Sequence, residues 1–196
     1  MSKREITRED ILPMEVYGPQ RKERRRQVTE MKKPRRVAVG PDATFYFENY
    51  DTMWHQVHEM LYIERGGEEQ IKDELSAYNP LIPKGNELVA TLMFEIDDEA
   101  RRDRVLRNLG GVEDRISLRL GEQVVPAVPE GDVERTAADG KTSSVHFQHF
   151  PMNAEQAAQF AAPDTEVVLA ISHDNYGHMA ILSEATRAAL AADLEI

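Results

Sequence analysis

Residues 36–64, RVAVGPDATFYFENYDTMWHQVHEMLYIE, constrain the fold of this chain more than any other stretch. Val37 and Val39 alternate ahead of Gly40-Pro41-Asp42; Phe45 and Phe47 alternate after it, with Tyr46 on the other side. Period-two patterning on both sides of a tight turn predicts a β-hairpin. Past Asp51 or Thr52, either of which can cap a helix, the period becomes helical, about 100° per residue. Trp54, Val57 and Leu61 then share one side with Tyr50 and Met53, and His55, His58, Glu59 and Tyr62 share a neighbouring side. Gly66-Gly67 ends the helix.

Further along, residues 88–96, LVATLMFEI, are apolar on both faces and predict a central strand. Residues 116–120 and 123–128 predict a second hairpin about Gly121. Residues 144–150 and 166–172 read as strands, and residues 179–182 as a strand or an extended lead-in. Helices are predicted over 68–77, over 98–109 behind Asp97, and to 162 behind an Asn153/Gln156 capping box. An alanine-rich helix capped by Ser183 closes the chain near Leu194. The polar, turn-rich residues 129–142 read as a mobile loop. Short turns between strands, interrupted by helices, predict an α+β fold with a mainly antiparallel sheet flanked by helices, one domain over 37–196.

Ahead of it lies a basic N-terminal helical segment, residues 1–36. Thr7 can cap a first turn before Glu9 and Asp10, Pro13 limits that turn, and residues 20–33, QRKERRRQVTEMKK, have helical composition. This segment holds 12 Lys/Arg and 6 Asp/Glu, whereas the whole chain has a net charge of −11. A basic head on an acidic body points to a partner patch at Arg21, Lys22, Arg24, Arg25, Arg26, Lys32, Lys33, Arg35 and Arg36. That patch could face nucleic acid, an acidic partner, or the chain's own acidic body. Nucleic acid is the weakest of these, because no aromatic residue interleaves with the charges.

At 196 residues, with 41% hydrophobic and 30% charged, the chain is a globular domain. No run approaches the roughly 18 apolar residues of a membrane span, and MSKREITREDIL lacks the apolar region of a secretory signal. With no cysteine, disulfides, thiolate catalysis and cysteine-ligated clusters are excluded. A cytoplasmic location is expected.

All six histidines come in pairs: His55/His58, His146/His149 and His173/His178. His55, His58 and Glu59 project from one helical turn, so a divalent metal could take imidazole and carboxylate ligands there, with His146 or Glu48 completing the set. The alternative is a polar helix face and a satisfied core histidine. His146 and His149, three apart on a strand, should face opposite ways. The loop over residues 78–87, fixed by prolines, offers Tyr78, Asn79, Asn86 and Glu87 to a small ligand, or uses them to cap backbone groups. No E-x-x-H, glycine-rich phosphate loop or G-x-S-x-G occurs.

Several stretches carry a resemblance: TREDILP at 7–13, RRVAVGP at 35–41, FEN at 47–49, EML at 59–61, AYNPLIP, GNEL and ATLMFEI across 77–96, SSVHF at 143–147, and LSEATRAALAADL at the end. On these the chain resembles the bacterial family catalogued as domain of unknown function 3501, over essentially its whole length. The resemblance implies no activity. It implies a gene setting beside rubrerythrin-like and iron–sulfur oxidoreductase proteins, and hence peroxide or redox physiology. It does not extend to His55 and His58. The first expectation is therefore a non-catalytic accessory protein with redox partners or a second copy of itself. A metal-dependent enzyme using the paired histidines comes second, and nucleic-acid binding through the basic segment third.

Overall fold

The hairpin at residues 36–48 forms because Gly40 can take a backbone no other residue takes easily (φ 72°). A Cβ there would also stand 2.6 Å from the His178 ring. The computed structural model describes residues 3–131, 136–137 and 140–196. In it β1 (Arg36–Val39) and β2 (Ala43–Glu48) pair antiparallel, and β2 passes its other edge to β3 (Glu87–Phe94). β3 is central, as its two apolar faces require, and pairs next with β7 (Val145–Pro151), which carries β6 (Val128–Pro129) on its other edge, so the five-stranded sheet runs β1-β2-β3-β7-β6.

Two antiparallel sheets are present rather than one. The second runs β5-β4-β8-β9, built from β4 (Ile116–Leu120), β5 (Gln123–Pro126), β8 (Val167–His173) and β9 (Tyr176–Ile181). The run expected as one strand over 123–128 divides between them: after β5 the chain crosses at Ala127 and contributes β6 (Val128–Pro129) to the first sheet. One apolar core fills the space between the sheets. Phe45, Phe47, Leu88, Leu92 and Phe150 meet Leu118, Leu120, Leu169 and Ile171 there. Tyr176 fastens one sheet to the other: its hydroxyl accepts the Asp42 and Ala43 N–H groups, both at 2.9 Å, and donates to the Val39 carbonyl at 2.8 Å.

The other face of the first sheet carries a helical layer. α2 (Tyr50–Glu64) lies against it, with α1 (Met14–Lys32) and α3 (Gly67–Tyr78) packed on α2. Met53, Val57, Leu61, Ile71, Leu81, Ile82 and Val89 make a second core between helices and sheet. The helix cap is Asn49, which exchanges bonds with Thr52 in a capping box, rather than Asp51 or Thr52. α1 begins at Met14, six residues before its expected start, and carries Pro19 inside it.

The ends of the sandwich are closed by α4 (Glu99–Arg107), capped by Asp98, and by α5 (Ala154–Ala161) and α6 (Glu184–Ala191). The Asn153/Gln156 capping box and the Ser183 cap form as expected. Of the loop expected over 129–142, residues 132–135 and 138–139 lie outside the described residues. The basic segment packs on the body. Arg35, only 5% exposed, forms a bidentate pair with Asp193 at 2.8 and 2.9 Å, tying the end of the head to the end of the chain.

Candidate functional site

The histidine-bearing face of α2 is covered by the segment that precedes it. His58 is fully buried, takes the Leu12 N–H on Nε2 at 3.0 Å and directs Nδ1 to the Trp54 carbonyl at 2.7 Å. The second contact requires Nδ1 to carry the proton, so both nitrogens are used. Burial pushes His58 down to about 4, leaving it neutral at pH 7. Burial lowers His55 as well.

Tyr17 of α1 links His55 to Glu59. Its hydroxyl donates to Glu59 at 2.8 Å and stands 3.1 Å from Nδ1 of His55. Arg21 clamps both Glu59 oxygens and lies 4.8 Å from the centre of the Tyr62 ring. Burial alone would raise the Glu59 carboxyl, but Arg21 and Tyr17 outweigh it and hold it below the usual carboxylate range. Burial, then the bond to Glu59, pushes Tyr17 far above an ordinary phenol, so it is no base at neutral pH.

The expected metal set does not assemble. His146 faces the core between the sheets, opposite Leu92, whereas α2 lies on the other face of that sheet. Its Nε2 meets the Ser143 carbonyl at 2.9 Å. Glu48 is buried on the α2 side under the Thr52 and Thr91 hydroxyls, at 2.6 and 2.8 Å. Among the described residues no three histidine, aspartate or glutamate side chains converge as a metal site. His146 and His149 do face opposite ways. His149 bridges Glu87 (2.9 Å) and Glu130 (2.8 Å) through its two ring nitrogens. Two carboxylate partners, Glu87 first, raise its pKa against the effect of burial. His173 and His178 stay on the β8–β9 hairpin, His173 accepting the Asn175 N–H.

The proline-fixed loop also serves structure. Asn79 pairs both ways with the Ile6 backbone, at 2.8 and 2.9 Å. Glu87 belongs to His149, Tyr78 packs on the second core, and the Asn86 carbonyl accepts the Met152 N–H. Each of Tyr78, Asn79, Asn86 and Glu87 thus makes a contact that holds the fold together.

Within the basic patch most cations turn onto the chain itself. Arg21 pairs with Glu59, Arg26 with Glu23, Lys33 with Glu30, Arg35 with Asp193 and Arg36 with Glu95. Arg24 bonds Gln20 and covers the Trp54 ring. Lys22, Arg25 and Lys32 form no ion pair among the described residues.

A different site was not legible in the sequence. Where the turn before α1, the end of α2 and the start of α3 meet, they leave a cleft of about 620 Å³. Its floor is Ile11, Leu61 and Ile71, all buried, with Leu12 and Met14 beside them; Arg8, Glu15, Arg65 and Glu68 stand at its rim. Arg65 is the one non-glycine residue with positive φ (57°) among the described residues. The signal for it was present: an arginine where a helix stops before two glycines.

The family model described as "Protein of unknown function (DUF3501)" matches residues 5–194. A crystal structure described as a novel protein of unknown function from Burkholderia pseudomallei K96243 is 36% identical, with a TM-score of 0.90. The match covers 97% of this chain and 99% of that one. No curated protein matches.

Proposed function

Because the chain belongs to the DUF3501 family, which hands down no activity, we propose a function from its own geometry: a non-catalytic binding protein whose site is the cleft between the α1 approach, α2 and α3. The observation that carries this reading is the apolar cleft of about 620 Å³, a size typical of small-molecule sites. His55, His58 and Glu59 of α2 do not line it and are committed to Tyr17 of α1 and to Leu12 just before it. A titration with the neutral dye Nile red tests the proposal. One saturable site is expected, lost when the floor is filled by Ile71→Trp or Met14→Trp. Undiminished binding in both folded variants would refute it.

A second reading, the accessory protein of redox physiology, draws on the outer face of the second sheet. Val124, Met179 and Ile181 are 53%, 62% and 67% exposed there. The register places Arg119, Ser117, Val168 and Ala170 between them, so this side of an acidic protein carries no carboxylate on its central strands. Such a face suits a protein partner. Pull-down of purified rubrerythrin-like and iron–sulfur oxidoreductase proteins, lost in Met179→Asp/Ile181→Asp, is the outcome that supports it; no association at micromolar concentration counts against it.

A further inference from the structure

Building on the cleft as a binding site, we propose that its ligand is an amphipathic carboxylate, with an apolar tail on Ile11, Leu61 and Ile71 and an acid head at Arg65. The floor sets the tail. Three buried aliphatic side chains with Met14 beside them make it apolar, and the half-buried Tyr62 is the one uncharged polar side chain in the lining, too little for a sugar or nucleotide to pair with.

The rim sets the head. Of its four charged side chains, Arg8 is taken by Glu68, its Nε 2.8 Å from Oε2. Glu15 sits in the first turn of α1, where the helix dipole favours a carboxylate. Arg65 has no ion-pair partner among the described residues, which leaves it the one unpaired cation of the rim. The two helices that start at this cleft, α1 behind Pro13 and α3 behind Gly66, have no side-chain N-cap, unlike α2, α4, α5 and α6. Their first-turn N–H groups add positive potential above the floor.

The same rim decides the charge of the ligand. One free guanidinium matches the planar fork of a carboxylate. Glu15, which has no cation paired to it among the described residues, would repel the second charge of a phosphate dianion. Arg65 also occupies a left-handed position that glycine fills at lower cost, although Gly66 and Gly67 follow directly. Retaining a charged side chain at a strained position is the pattern of a functional group.

Calorimetric titration of the full chain with octanoate, octanol and acetate tests this. Octanoate should bind one to one and octanol about tenfold more weakly, the tenfold standing for one charge-assisted pair at a wet rim. Acetate should not bind. In Arg65→Gln, octanoate should fall to the level of octanol, and Arg65→Lys should recover part of the difference. Equal binding of octanoate and octanol to the unaltered protein, or octanoate binding unchanged in Arg65→Gln, would overturn the acid head while leaving the cleft a binding site. Failure of both long-chain probes would remove the cleft reading too.

Discussion

Replacing Asp193 with alanine should destabilise this protein more than almost any other surface-distant change, through the buried ion pair with Arg35. The two side chains are 6% and 9% exposed and meet through two bonds of 2.8 and 2.9 Å. Arg35 has one further acceptor, the Ala189 carbonyl at 3.0 Å. Without Asp193 its charge stays buried with that single partner. Breaking one side of a buried pair costs about 3–5 kcal/mol. In a chain of this size each kcal/mol lowers Tm by roughly 2–4 °C, so a fall of about 6–20 °C is expected. Urea unfolding followed by circular dichroism should show a lower midpoint with unchanged slope. The double replacement Arg35→Met/Asp193→Leu should recover most of the loss, because the apolar pair leaves no orphan charge. A loss below about 1 kcal/mol in Asp193→Ala would mean that the pair is solvated, and would refute the anchoring of the basic segment through it.

The other predictions concern strain, pH and salt. Arg65→Gly relieves a left-handed arginine and should stabilise the fold by about 1 kcal/mol, read as a rise in the urea midpoint, while weakening octanoate; a loss of stability would show that the position is unstrained. His58 stays neutral in the fold down to about pH 4 while the unfolded state takes up a proton near 6.5. Stability should therefore drop as pH falls from 6.5 towards 4, by roughly 3 kcal/mol in total, and His58→Phe should flatten that limb. His149 has the opposite sign: its raised pKa contributes stability that is complete below about 6.5 and lost as pH climbs through the folded value, and His149→Gln should abolish that loss in urea midpoints measured up to pH 9. With only Lys22, Arg24, Arg25 and Lys32 of the basic patch lacking an ion pair among the described residues, any duplex-DNA binding should show a log–log salt slope no steeper than about −4; a slope near −7 would mean that the internal pairs open.

What the sequence disclosed was local. The turn at Gly40, the Asn153/Gln156 box, the Ser183 cap and the central strand all depend on residues within a few positions of one another. The start of α1 was hidden because Gly18 and Pro19, inside the helix, are the two poorest helix formers. In the fold Gly18 lets the helix close on α2, where a Cβ would stand 3.1 Å from the Tyr62 ring, and Pro19 gives up one backbone bond on the exposed side. The side-by-side placement of His55, His58 and Glu59 was legible from helical spacing. Their commitment to Leu12, Tyr17 and Arg21 was not, because those partners lie 38 to 46 residues away. The cleft was illegible for the same reason. Ile11, Leu61 and Ile71 belong to three segments, and only their packing brings them to one floor.

Methyl-resolved NMR during an octanol titration tests the cleft most directly. The account predicts that the methyl resonances of Ile11, Leu61 and Ile71 shift together and saturate, while those of Val124, Met179 and Ile181 stay in place. Shifts confined to the second group would contradict it, and would make the outer sheet face the surface on which this protein binds.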